Sequence, residues 1–107
     1  MNRDELEEVL EQWADVVEKW KADAQKAAEL DAHFKAWCAT SKKLAMLGGS
    51  SAAKAEIELV ADPEWHEKFL CINRQNIAVE TWKKKLRIVE AAFEAERSRQ
   101  ATLRQVR

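Results

Sequence analysis

Two histidine–cysteine pairs share one spacing. "HFKAWC" holds His33 and Cys38, "HEKFLC" holds His66 and Cys71, and both read H-x-K-x-x-C. Two imidazoles and two thiolates are a donor set that completes a zinc tetrahedron. On a helix, however, residues five apart point about 140° away from each other, so one face does not present both members of a pair. Metal-binding helices use spacings of three or four. The plainer reading makes Cys38 and Cys71 small buried apolar residues and puts the histidines near the surface. His33, Cys38, His66 and Cys71 are therefore not assigned as a metal site, and no cofactor is expected.

The remaining catalytic patterns are missing from the chain. There is no P-loop, no G-x-S-x-G and no H-E-x-x-H. "GGSS" precedes a helical pattern, but no G-K-[ST] follows it. The expectation is a protein that is not an enzyme.

Basic and aromatic residues remain as candidates for binding. Lys83, Lys84, Lys85 and Arg87 in "WKKKLR", with Arg97, Arg99, Arg104 and Arg107 further on, could contact phosphates. Three consecutive lysines spread around most of a helix, though, and form no single stripe. Five tryptophans accompany no tyrosine. Trp13, Trp20 and Trp82 fall on heptad positions and read as core. Trp37 and Trp65 are the better candidates for a protein interface, where tryptophan often anchors binding.

These residues need elements to position them. No Gly or Pro occurs between Arg3 and Leu47. There, Leu6, Leu10, Trp13, Val17, Trp20, Ala24, Ala27, Asp31, Phe34 and Cys38 follow alternating steps of four and three, a heptad seam. Val9, Val16, Leu30, Trp37 and Leu44 add a second line, so the apolar face is wide. Gly48 suits the left-handed end of this helix. Ser50 or Ser51 can cap a short helix over about 51–61. Asp62-Pro63-Glu64 is a strong helix start, and the last helix should cover about 63–105. Its seam is Trp65, Ile72, Val79, Leu86 and Phe93, with Trp82, Val89 and Leu103 as partner line, interrupted by Gln75, Glu96 and Gln100.

Charge predicts how the two long helices meet. Residues 1–31 hold ten acids and four bases, net −6, whereas residues 82–107 hold eight bases and three acids, net +5. An antiparallel hairpin sets the acidic half beside the basic one. The expected fold is all-α: one domain, a long coiled-coil-like antiparallel hairpin with a short helix at the corner. Two helices bury only one seam, so a dimer forming a four-helix bundle is expected. The competing arrangement is a monomeric three-helix bundle, with the short helix folded over one end. Function could enter through Trp65 and the face of residues 52–61.

Composition sets outer bounds. At 107 residues, 47% apolar and 35% charged, with two Gly and one Pro, the chain is neither linker nor disordered tail. A net charge of −1 gives no global pull toward nucleic acid or an anionic membrane. No apolar run reaches the roughly 18 residues of a membrane helix. The acidic start "MNRDELEEVLEQW" is unlike a signal peptide, so a cytoplasmic location with reduced cysteines is expected.

The stretch "LGGSSAAKAEIELVADPEW" followed by "LRIVEAAFEAERSRQATLR" resembles small helical proteins encoded by bacteriophages and prophages. These share a long charged helix, a glycine-containing corner, an acidic-proline restart and an Arg-rich end. The likeness spans roughly residues 34–104 and carries over no catalytic residue. It implies a phage accessory protein acting by binding a host or phage factor, such as an inhibitor of a host defence system. The alternative reading is a nucleic-acid-binding protein that uses the basic C-terminal helix.

Overall fold

The computed structural model describes residues 3–106, with the side chains of residues 5–105. Helix α1 spans Arg3–Leu47, α2 spans Ala52–Ala61 and α3 spans Pro63–Val106. No strand occurs among the described residues. The chain forms two compact units, one from Met1–Asp23 with Ala78–Arg107 and one from Ala24–Ile77.

The sequence breaks the helices by local hydrogen bonding. At the end of α1, Gly49 takes a left-handed φ of 100°. The N–H of Ser50 donates to the carbonyl of Ala45 and that of Gly49 to Met46, both at 3.1 Å. This is a Schellman motif with Gly49, not Gly48, at C′. At the start of α2, the Ser51 hydroxyl accepts the N–H of Lys54 at 3.2 Å. Asp62 joins α2 to α3 alone. Its N–H donates to the Leu59 carbonyl at 3.1 Å, and its Oδ1 accepts the N–H of Glu64 at 2.8 Å. Pro63 then occupies the first helical position, where a missing N–H costs nothing.

In the first unit, α1 and α3 run antiparallel. Glu5 meets Arg99, Trp13 meets Phe93 and Asp23 meets Trp82. The second unit keeps the same sense, with Phe34 against Trp65 and Lys42 against Glu56. Thus α2 pairs with the last turns of α1, and α3 takes over at Trp65. The fold is an all-α antiparallel helical hairpin. The α2 segment extends its second leg and is not a third layer of a three-helix bundle.

The α3 seam lies where the heptad places it. Trp65, Ile72, Val79, Leu86 and Phe93 are half-buried, as are Trp82, Val89 and the polar Gln75, Glu96 and Gln100. Leu103 is exposed and falls outside it. In α1 both expected lines are largely kept: Val17, Ala24, Asp31 and Cys38 are half-buried with the rest of the seam, and only Leu10 in the first line and Leu44 in the second are exposed. The facing residues include Leu6, Val9, Trp13, Val16, Trp20, Asp23, Ala27, Leu30, Phe34 and Trp37. Val16 is 8% exposed, whereas Leu10 is 43% exposed. Leu10 and Val9 are both aliphatic, so apolarity alone does not rank them, and the position of α3 decides.

The resulting core is thin. Among the described residues only Val16, Ala55 and Leu59 are buried. Two polar atoms in the first unit, Trp20 Nε1 and Glu96 Oε2, are enclosed without a hydrogen-bond partner. Such groups cost stability.

Candidate functional site

The histidine–cysteine quartet does not assemble. His33 and Cys71 line one cleft in the second unit with Leu30, Phe34, Lys68 and Ile72. Cys38 instead sits near Lys42 and Glu56. Burial pushes its thiol pKa up, the Lys42 charge opposes this, and Glu56 adds to the rise. His66 is exposed in the first turn of α3. No group of three or more His, Cys, Asp or Glu side chains among the described residues is arranged to hold a metal ion.

Trp37 and Trp65 enter an aromatic cluster. Phe34 lies 6.3 Å from Trp37 and 5.9 Å from Trp65, measured between ring centroids. Trp65 stacks on Phe69 at 5.0 Å with only 8° between the planes. The Lys68 ammonium rests 5.5 Å from the Trp37 ring centre, a cation–π contact. Both tryptophans are half-buried, so each ring packs within the unit and keeps an accessible edge. Phe69 is exposed and was not marked by heptad reasoning. Its spacing of four from Trp65 was the available signal.

A polar contact in the first unit also escaped the sequence reading. The Trp82 Nε1–H donates to Asp23 Oδ2 at 2.6 Å across the helix pair. Lys19 and Lys85 lie over the same indole, 5.4 and 4.4 Å from its centroid. Asp23 three residues after Trp20, on the apolar face, was the visible clue.

The basic residues are divided in use. Lys83 pairs with Glu80 at 3.1 Å and Arg97 with Glu94 at 3.8 Å. Arg99 meets Glu96 at 3.7 Å and Glu5 at 3.8 Å. Lys85 covers Trp82. Lys84, Arg87 and Arg104 are exposed and enter none of these pairs, and Arg107 lies outside the described residues. The acidic and basic halves do meet, at Glu5–Arg99, although most described ion pairs run within one helix. Lys35 with Asp31 and Lys42 with Glu56 are the pairs that raise a lysine pKa, in each case chiefly through the hydrogen bond.

Exposed apolar side chains are the most developed surface feature. Leu44, Met46, Leu47, Ile57, Val60, Phe69, Leu70 and Ile77 lie in the second unit; Leu10, Ile88 and Leu103 lie in the first. An open cleft on the first unit, lined by Gln12, Asp15, Val16, Lys85, Ile88 and Val89, is also mostly apolar. No described helix is long and apolar enough to cross a membrane. Comparison with protein families, with curated proteins and with solved structures gives no match to this chain.

Proposed function

We propose that this protein works by binding protein surfaces, beginning with its own copy, and is not an enzyme. One observation carries the reading. The chain exposes 8068 Å², whereas a folded monomer of its 12.3 kDa mass exposes about 6,100 Å². The excess is well above the ~800 Å² that each partner contributes to an ordinary interface. Large apolar side chains are among the exposed residues, and covering each one favours association by at most about 1.5–3 kcal/mol before ordering costs. A dimer with four helices in cross-section supplies that cover. The resemblance to small phage helical proteins suggests a further partner, a host or phage factor, with the half-buried Trp37 and Trp65 as anchors. Sedimentation equilibrium over a wide concentration range tests the reading. Dimers are expected, and a chain that stays monomeric at the highest concentration would refute it.

The second reading is nucleic-acid binding through α3. It is favoured by Lys84, Arg87 and Arg104, whose charges face solvent. It is weakened by Lys83, Lys85, Arg97 and Arg99, which are engaged within the chain. A DNA titration at several salt concentrations separates the two. Phosphate binding predicts log affinity falling linearly with log salt, and protein binding predicts negligible affinity at physiological salt.

A further inference from the structure

We infer that self-association runs through the corner end of the second unit, residues 44–60, and that the occupant of this surface is the same surface of a second copy. This rests on the self-association proposed above and names its interface.

The distribution of exposed apolar residues points there first. Leu44, Met46, Leu47, Ile57 and Val60 are five of the eleven exposed large hydrophobic residues among the described residues, and they lie near the corner end of the second unit. Helix α2 is apolar on two sides. Ala55 and Leu59 are buried inward, while Ala53, Ile57 and Val60 recur at i, i+4 and i+7 and are exposed. Ile57 is 71% exposed and Leu47 74% exposed. A helix that docks on one neighbour needs one stripe, and the second stripe suits another neighbour.

Charge then selects a second copy. A two-fold axis sets a patch against itself, so a patch of one sign repels its own image. Beside Ile88, Lys84 and Arg87 enter no described ion pair, and beside Leu10 neither do Glu8 and Glu11, so each of these surfaces keeps charge of one sign. Around α2 the signs are balanced within the chain, by Lys54 with Glu58 at 3.9 Å and by Lys42 with Glu56. This end therefore meets its own image without a like-charge field.

On α2 itself the large side chains of the stripe are Ile57 and Val60; at on the order of 100 Å² each, two from each chain give on the order of 400 Å², the apolar centre of an interface whose remaining area is polar rim. In the pair, α2 lies antiparallel to its counterpart, with Ile57, the middle of the stripe, at the axis.

The test uses the full chain in sedimentation equilibrium. The Ile57→Glu/Val60→Glu variant should raise the dimer Kd by about a hundredfold or more, and Ile88→Glu should leave it unchanged. Dimers that survive the double change but fall apart with Ile88→Glu overturn this interface and leave self-association standing. A wild-type chain that stays monomeric overturns both, and that face would then serve a different partner. Because glutamates on α2 could unfold it, a second measurement uses cysteine. In a chain carrying Cys38→Ser and Cys71→Ser, Ile57→Cys is incubated with oxidised glutathione. Two thiols from two chains form one disulfide, and the glutathione disulfide is reduced to two thiols. A covalent dimer should form faster from Ile57→Cys than from Ile88→Cys; the reverse order overturns the proposal.

Discussion

The two units solve the pairing of the helices with different chemistry. The first, which holds both ends of the chain, crosses its seam with polar contacts: Trp82 to Asp23, Glu5 to Arg99, and two lysines over one indole. It also encloses Trp20 Nε1 and Glu96 Oε2 without partners. The second unit is held by caps at the corner, by buried Ala55 and Leu59, and by the cluster of Phe34, Trp37, Trp65 and Phe69. A polar seam fixes register at some cost in stability, as a single buried polar residue does in a coiled coil. Apolar packing adds stability and specifies register less. The comparison therefore assigns register to the first unit and cohesion to the second.

The largest test of that division lies in the corner. Leu59→Ala removes a buried side chain and should destabilise the protein by about 2–5 kcal/mol. Val16→Ala in the first unit removes less apolar volume and should cost about 1.5 kcal/mol. Urea unfolding measures both, and equal losses would contradict the division. Next is the polar seam. Asp23→Ala leaves the Trp82 indole N–H unpaired and should cost about 2 kcal/mol. Asp23→Asn keeps an acceptor and should recover part of that loss, and if alanine and asparagine cost the same, the hydrogen bond contributes nothing to the seam.

Smaller effects follow at the helix end. Gly49→Ala forces an alanine into a left-handed backbone and should cost about 1–2 kcal/mol. Gly48→Ala meets only ordinary contacts, at 3.4 Å from the Ala45 carbonyl oxygen and 3.6 Å from that of Leu44, and should change the melting temperature little. The reverse ranking would move C′ back to Gly48. The smallest effect concerns pH. Burial raises the Cys38 pKa in the folded state, so the folded protein holds this proton more tightly than the unfolded chain. Its contribution is complete below the ordinary thiol range and falls as pH rises through the raised value. Cys38→Ser should flatten the alkaline loss of stability, and an unchanged alkaline limb would remove Cys38 from it.

The helix boundaries were legible because they rest on local chemistry. Ser51, Asp62 and Pro63 act through hydrogen bonds and φ angles that neighbouring residues determine. The α3 seam was legible because Trp65, Ile72, Val79, Leu86 and Phe93 recur every seven residues, with Trp82 and Val89 on the partner line, despite the polar Gln75, Glu96 and Gln100. Two features were not. Gly48 and Gly49 are adjacent and chemically identical, so only the backbone tells which one turns left-handed. In α1, Leu10 competes with Val9, and the choice depends on where α3 lies. The Asp23–Trp82 contact joins residues 59 apart in sequence, a relation that no local pattern contains. Candidate binding residues were less legible still, since Trp37 and Trp65 serve their own cluster and present only part of each ring.

The arrangement of the two units along the chain has a kinetic consequence. The second unit is one unbroken segment, Ala24–Ile77, whereas the first joins segments from the two ends of the sequence. Closing the first unit from an unfolded chain requires a long loop, and the entropy of that closure falls once the intervening segment is ordered. Folding is therefore expected to start at the corner and travel outward toward the termini, like a zip. Leu59 should then show a high φ-value and Phe93 a low one, and the opposite order would mean that the charged ends find each other first.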